Sequence, residues 1–222
     1  VHGFNVPDEK YSCNRQLILG ISLPSNSCTL QLLANAYEGN SMSEITLPDP
    51  GRWELDTAHS SIEFVARHLM VTKVRGGFGE FSGTIDVADN PTESMVSIQV
   101  TMDSVSTGSA DRDGHLKSPD FFDVENHPTM TFESTQVIDK GDGYQMVGDL
   151  TVRGVTKPLT LDVDYLGVMT DPWGNAKAAF SASGEVDRED WGLTWNAALE
   201  TGGVLVSKTA KLEIEVQAAK NG

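Results

Sequence analysis

Five histidines and two cysteines are the obvious ligating or nucleophilic groups in this 222-residue chain, and their spacing limits what they can do. His59, His68, His115 and His127 fall on separate elements, and neither H-E-x-x-H nor C-x-x-C occurs, so no local motif builds a metal site. His59 next to Ser60 is not a triad, because a triad is defined by geometry across a fold, and no G-x-S-x-G elbow is present. Glu189 and Asp190 are adjacent, where turn or strand geometry points them apart; they read as a solvated turn. No glycine-rich phosphate loop opens a helix. The expectation is a chain with no catalytic residue, no metal and no cofactor.

Composition narrows the partners. Thirty-two acids against 16 Lys and Arg give a formal net charge of -16, which argues against wrapping a nucleic-acid backbone and against an anionic membrane surface. The same charge is the ordinary property of a very soluble protein. Cys13 and Cys28 both precede residue 44, so any disulfide is confined there, and their pairing stays open. No run reaches the roughly 18 apolar residues of a transmembrane helix.

The elements that must position any site are strands. From Trp53 to Phe81 the chain reads WELDTAHSSIEFVARHLMVTKVRGGFGEF, in which Ile62, Phe64, Ala66 and His68 share one face while Glu63, Val65 and Arg67 share the other. Gly76, Gly77 and Gly79 then allow a bend before Phe81. The alternation recurs at Val96, Ile98, Val100 and Met102; at Met130 and Phe132; and at Met146, Gly148, Leu150 and Val152. It returns at Leu159, Leu161, Val163 and Tyr165; at Phe180, Ala182 and Val186; and at Ala210, Leu212, Ile214 and Val216. Asp89-Asn90-Pro91, Lys140-Gly141-Asp142-Gly143, Arg153-Gly154 and Asp171-Pro172-Trp173-Gly174 supply turns. About eight strands with one solvated face predict an all-β fold, an eight-stranded antiparallel closed sheet spanning residues 44–220. Such a sheet encloses a space that side chains fill or that holds one ligand, and periodicity does not choose between them.

Two segments break the pattern. Ser106 to Ser118 predicts a short helical insertion with Ser109 as N-cap, followed by Phe121, Phe122 and a stop at His127-Pro128. Asp187 to Asn196 reads as a charged turn followed by Trp191 and Trp195. Residues 1–43 differ in composition and read as a poorly structured leader or non-native extension. Met42 is the preferred start, which predicts a cytoplasmic protein. The rival reading is an export signal built on Arg15, a broken apolar run and Ala34-Asn35-Ala36, which predicts a periplasmic or secreted one.

Four pieces, WELDTAHSSIEFVARHLMVTKVRGGF, RDGHLKSPDFFDVENHP, GDLTVRGVTKPLTLDV and FSASGEVDREDWGLTWN, occur in the order in which they occur in the YceI-like, polyisoprenoid-binding family of bacterial proteins, which the chain therefore resembles. The resemblance implies a lipocalin-like barrel holding one long-chain amphiphile, a polyisoprenoid or isoprenoid quinone, for storage or transport. It does not imply a shared reaction. The lipid is then the ligand, and Phe64, Phe81, Val100, Met102, Phe132, Leu150, Leu161, Phe180 and Leu212 are candidate walls. Phe121, Phe122, Trp191 and Trp195 plug one end or line its mouth. His68, Arg112 and His115 are the polar groups expected near the lipid head, and a head-to-head homodimer is one way to shield an apolar mouth. The alternative is a filled barrel acting as a stress-related or interaction protein without a stored ligand.

Overall fold

The computed structural model describes residues 46–199 and 202–220; the readings of residues 1–43, with both cysteines, lie outside the described residues. The strands are β1 (Gly51–Leu55), β2 (Ser61–His68), β3 (Thr72–Phe78), β4 (Phe81–Val87), β5 (Met95–Thr101), β6 (Val105–Ser106), β7 (Thr129–Asp139), β8 (Tyr144–Val152), β9 (Val155–Thr170), β10 (Ala176–Asp187) and β11 (Thr209–Lys220). One α-helix, α1 (Ala110–Lys117), lies between β6 and β7.

Registers show why eleven segments make eight strands. β1 pairs with β4 as β2 pairs with β3, and β5 pairs with β4 as β6 pairs with β3, all antiparallel. Each couple β1/β2, β3/β4 and β5/β6 is therefore one long strand with a kink. The kinks lie at Thr57–His59, at Gly79-Glu80 and at the turn Met102–Ser104. From there β7, β8, β9, β10 and β11 follow as a meander, and β11 returns to β1 and β2, closing an eight-stranded antiparallel barrel. Bulges at Thr135 in β7 and at Leu166 in β9, opposite Ala179/Phe180, shift the registers, where an extra residue increases twist and bend.

Closure must satisfy the backbone where β1 ends and β2 has not begun. There Asp56 N–H donates to the Gln217 carbonyl at 2.8 Å, and Gln217 N–H donates to the Ser60 hydroxyl at 2.9 Å. Lys177 from β10 reaches the same corner and donates to the Asp56 carboxylate at 2.7 Å. The two side chains are only 19% and 16% exposed.

The β4–β5, β7–β8 and β9–β10 connections gather at one end of the barrel, and α1, the β10–β11 connection and the tight β2–β3 and β8–β9 turns at the other. Arg153 and Gly154 both have positive φ (50° and 72°) in the β8–β9 turn, the primed geometry that matches strand twist. The predicted helix is present. Ser109 sits at the N-cap without a side-chain hydrogen bond. Instead the Asp113 carboxylate turns back to accept from the Thr107 N–H at 2.8 Å and from its hydroxyl.

Two interior glycines have a packing role. A Cβ on Gly148 would stand 2.4 Å from Phe132 Cζ, and one on Gly76 would stand 2.4 Å from Phe64 Cζ. The tip of each ring rests over a glycine of a neighbouring strand, a space that a side chain there would take. Gly148→Ala should force the Phe132 ring inward and cost about 1–3 kcal/mol, measured as a lower urea midpoint with an unchanged slope. An unchanged midpoint would show that the ring has room to move.

Acid sensitivity follows from the closure corner. The Lys177 hydrogen bond, helped by His59, holds the Asp56 carboxyl below its ordinary value against the opposing effect of burial. A depressed folded-state value contributes stability that is present above the unfolded value of about 3.9 and is lost as pH falls through the folded value. Asp56→Asn should therefore be less stable than the parent at neutral pH, with the gap narrowing below about pH 4. Urea melts showing a gap independent of pH would contradict this.

Candidate functional site

The inward faces of the eight strands enclose a cavity of about 550 Å³. It is reached by period-two runs: Val96, Ile98 and Val100 from β5; Leu159, Leu161, Val163 and Tyr165 from β9; Ala210, Leu212, Ile214 and Val216 from β11. Its walls are almost wholly aliphatic and aromatic because one face of each strand is apolar. At the end of the β4–β5, β7–β8 and β9–β10 connections it meets Leu47, Pro48, Pro50, Pro91, Tyr144 and Tyr165. Tyr165 donates to the Thr46 carbonyl, and burial pushes its phenol above the ordinary value. At the opposite end it meets Leu116, Phe121, Phe122, Arg188, Trp191 and Leu193.

Of the residues singled out in the sequence, Phe64, Val100, Phe121, Phe122, Phe132, Leu150, Leu161, Phe180, Trp191 and Leu212 line this cavity. Trp191 is buried, and its indole N–H donates to the Leu150 carbonyl at 3.0 Å, pinning the end segment to β8. Met102 and Phe81 are outside the lining. Met102 is buried with Phe78, Val100 and Val105, and Phe81 packs on that cluster, because the kinks at Gly79-Glu80 and Met102–Ser104 redirect both side chains.

The three polar groups expected near a lipid head are also outside the lining. His68 continues the inner face of Ile62, Phe64 and Ala66 in register, but β2 leaves the barrel there: the residue is exposed and bridges Val206 through its backbone. Arg112 is held at the N-terminus of α1, where its guanidinium donates to the Thr107 hydroxyl at 2.6 Å and carbonyl at 2.9 Å. His115 faces Asp120 at 3.0 Å and packs edge-on against Phe121 and Trp195, with ring centroids at 5.0 and 4.6 Å. Trp195 thus backs Phe121 from outside the cavity.

Several polar side chains reach the cavity, Glu63, Thr131, Tyr144, Tyr165 and Arg188 among them, and of these Arg188 is the buried one. The residue is 8% exposed. Nε donates to the Ser207 carbonyl at 3.0 Å, Nη1 donates to the Leu193 carbonyl, and Nη2 has no hydrogen-bond partner among the described residues. Burial lowers the Arg188 pKa from its ordinary value, opposed by the charges of Glu189 and Asp187. Those two acids are engaged elsewhere: Asp187 accepts from the Glu189 N–H at 3.0 Å, and Glu189 accepts from Lys208 at 2.6 Å. Arg188 sits in the segment read as a charged, solvated turn. The signal that could have found it is parity, since it lies two residues beyond Val186, which faces the cavity.

Other chemistry is disposed of locally. Ser60 donates to the Asp56 carbonyl at 2.7 Å and accepts from Gln217, while His59 Nδ1 faces Asp56 at 3.1 Å, so the adjacent pair serves the closure corner. Among the described residues no three His, Cys, Asp or Glu side chains are grouped to hold a metal ion. No helix among them is long and apolar enough to cross a membrane.

Comparison with known proteins agrees with this architecture. A UPF0312 protein of Staphylococcus epidermidis is 38% identical over 168 residues, spanning 75% of this chain and 96% of the relative. The crystal structure of a Campylobacter jejuni YCEI protein is 31% identical and superposes with a TM-score of 0.60, covering 70% of this chain and 90% of that one. A polyisoprenoid binding domain from Saccharophagus degradans, implicated in plant cell wall breakdown, shares the fold at 18% identity and a TM-score of 0.53, covering 76% of this chain and 98% of that one. The family model of the YceI-like domain matches residues 53–218, almost the whole barrel. The chain belongs to the YceI-like family.

Proposed function

We propose that this protein is a lipid carrier that stores or transports one long-chain amphiphile, a polyisoprenoid or isoprenoid quinone, inside its barrel. The observation that supports this most is the apolar cavity of about 550 Å³, within the ~300–1,000 Å³ of small-molecule sites. The tips of the Phe64 and Phe132 rings rest over Gly76 and Gly148 on the wall. Burying about 400 Å² of isoprenoid surface at ~25 cal/mol per Å² contributes roughly 10 kcal/mol before ordering costs. What remains after those costs corresponds to about micromolar binding or tighter. The binding properties named for the Saccharophagus domain point the same way.

Organic extraction of the purified protein, followed by lipid mass spectrometry, should release a stoichiometric isoprenoid. Protein that is repeatedly empty and also fails to take up quinone or polyprenyl lipid would sink the carrier reading in favour of a filled or ligand-free barrel. A graded test uses Ala182, a small half-buried residue on the cavity wall. Ala182→Phe should weaken isoprenoid-quinone uptake at least ~10-fold while costing less than the about 1–3 kcal/mol typical of overpacking a filled core. Unchanged uptake with a large stability loss would mean that the space is not the binding site.

A further inference from the structure

The carrier reading leaves the polar end of the ligand unassigned, and among the polar residues on the cavity wall Arg188 is the one that is buried with an unmade hydrogen bond. Arg188 is locked in place: two of its nitrogens donate to the Ser207 and Leu193 carbonyls. Those bonds fix the plane of the guanidinium and leave Nη2 as a buried donor with no acceptor among the described residues. The neighbouring acids do not neutralise it by contact, since Asp187 caps the turn and Glu189 is bonded to Lys208. Around it the cavity is framed by Val186, Trp191 and Leu193, which offer no acceptor side chain. A buried donor left unmade is costly, more so when charged, and a group already held in position recognises an acceptor at little ordering cost.

We infer that Arg188 reads the head group of the bound amphiphile, donating from Nη2 to a head-group oxygen, either a quinone carbonyl or a prenyl phosphate, at the end of the cavity framed by Trp191 and Leu193. This rests on the carrier reading and deepens it. The ligand lies with its head beneath the β10–β11 connection and its isoprene chain along the barrel axis toward Tyr144 and Tyr165. A pure hydrocarbon fills the same walls but leaves Nη2 unpaired, so selectivity for oxygen-bearing lipids is located at this one residue.

The test uses the full chain stripped of lipid and titrated separately with a polyprenyl monophosphate, an isoprenoid quinone of equal chain length and the corresponding polyprenyl hydrocarbon, with binding followed by tryptophan fluorescence. The parent should bind at least one oxygen-bearing lipid roughly 10- to 100-fold more tightly than the hydrocarbon. In Arg188→Met that ratio should collapse to near one while hydrocarbon binding is retained, which also reports that the barrel is intact. Preference for the phosphate assigns an anionic head, and preference for the quinone assigns a carbonyl. Should Arg188→Met fail to fold, Arg188→Gln decides: its amide serves the loop carbonyls but has no charged donor to spare, and an unchanged ratio there overturns the assignment. Equal binding of all three lipids by the parent, or a preference that survives in Arg188→Met, also overturns it and leaves the carrier reading standing. Failure of the parent to bind any of the three overturns the carrier reading itself.

Discussion

The pairing of the last strand with the first is the constraint on which the rest of this molecule depends. β11 pairs with β10 along its whole length on one side, and on the other with β1 near its C-terminal end and β2 near its N-terminal end. The gap between β1 and β2 would leave Gln217 with an unmade donor and acceptor, and Ser60 and Asp56 fill both roles. A closed sheet has no edge to aggregate, and closing eight strands creates an axis that the chain must either fill or leave open.

The chain leaves much of it open, through local choices of residue size. The tips of the Phe64 and Phe132 rings rest over Gly76 and Gly148 on the wall. One end is then backed by Phe121, Trp191 and Leu193, buried among themselves and against Leu150 and Val152. A hollow barrel of this kind offers dispersion and apolar burial along its length, which holds a flexible hydrocarbon without specifying it. Discrimination has to come from the few polar side chains on its wall; among these Tyr165 is already engaged with Thr46, and Arg188 is buried with an unmade hydrogen bond.

How much of this was legible in sequence follows from period. Strand side chains alternate strictly, so inward residues such as Leu150, Leu161 and Leu212 could be read off with their faces correct. The eight-strand count was equally legible, because the kinks in β1/β2, β3/β4 and β5/β6 interrupt strands without changing their number. What alternation does not encode is where a strand leaves the barrel. His68 keeps the right parity but lies past the wall, and Phe81 and Met102 lie beside kinks. The helix signal gave the right segment, yet Asp113 rather than Ser109 supplies the side-chain hydrogen bonds at its start. Arg188 shows the opposite error: surrounded by Asp187, Glu189 and Asp190 it reads as surface, although its parity with Val186 continues the inner face. Charge composition describes a neighbourhood in sequence, whereas burial depends on which way one side chain leaves the strand.

The central claim is that an isoprenoid chain occupies the barrel axis, and the most direct measurement is of intermolecular nuclear Overhauser effects between an unlabelled isoprenoid quinone and methyl-labelled protein. The account predicts contacts from ligand methyls to Leu150, Leu161, Val163 and Ile214, all on the cavity wall. Contacts confined to the exposed Leu166, Met169 and neighbouring surface residues, with the interior methyls silent, would contradict it.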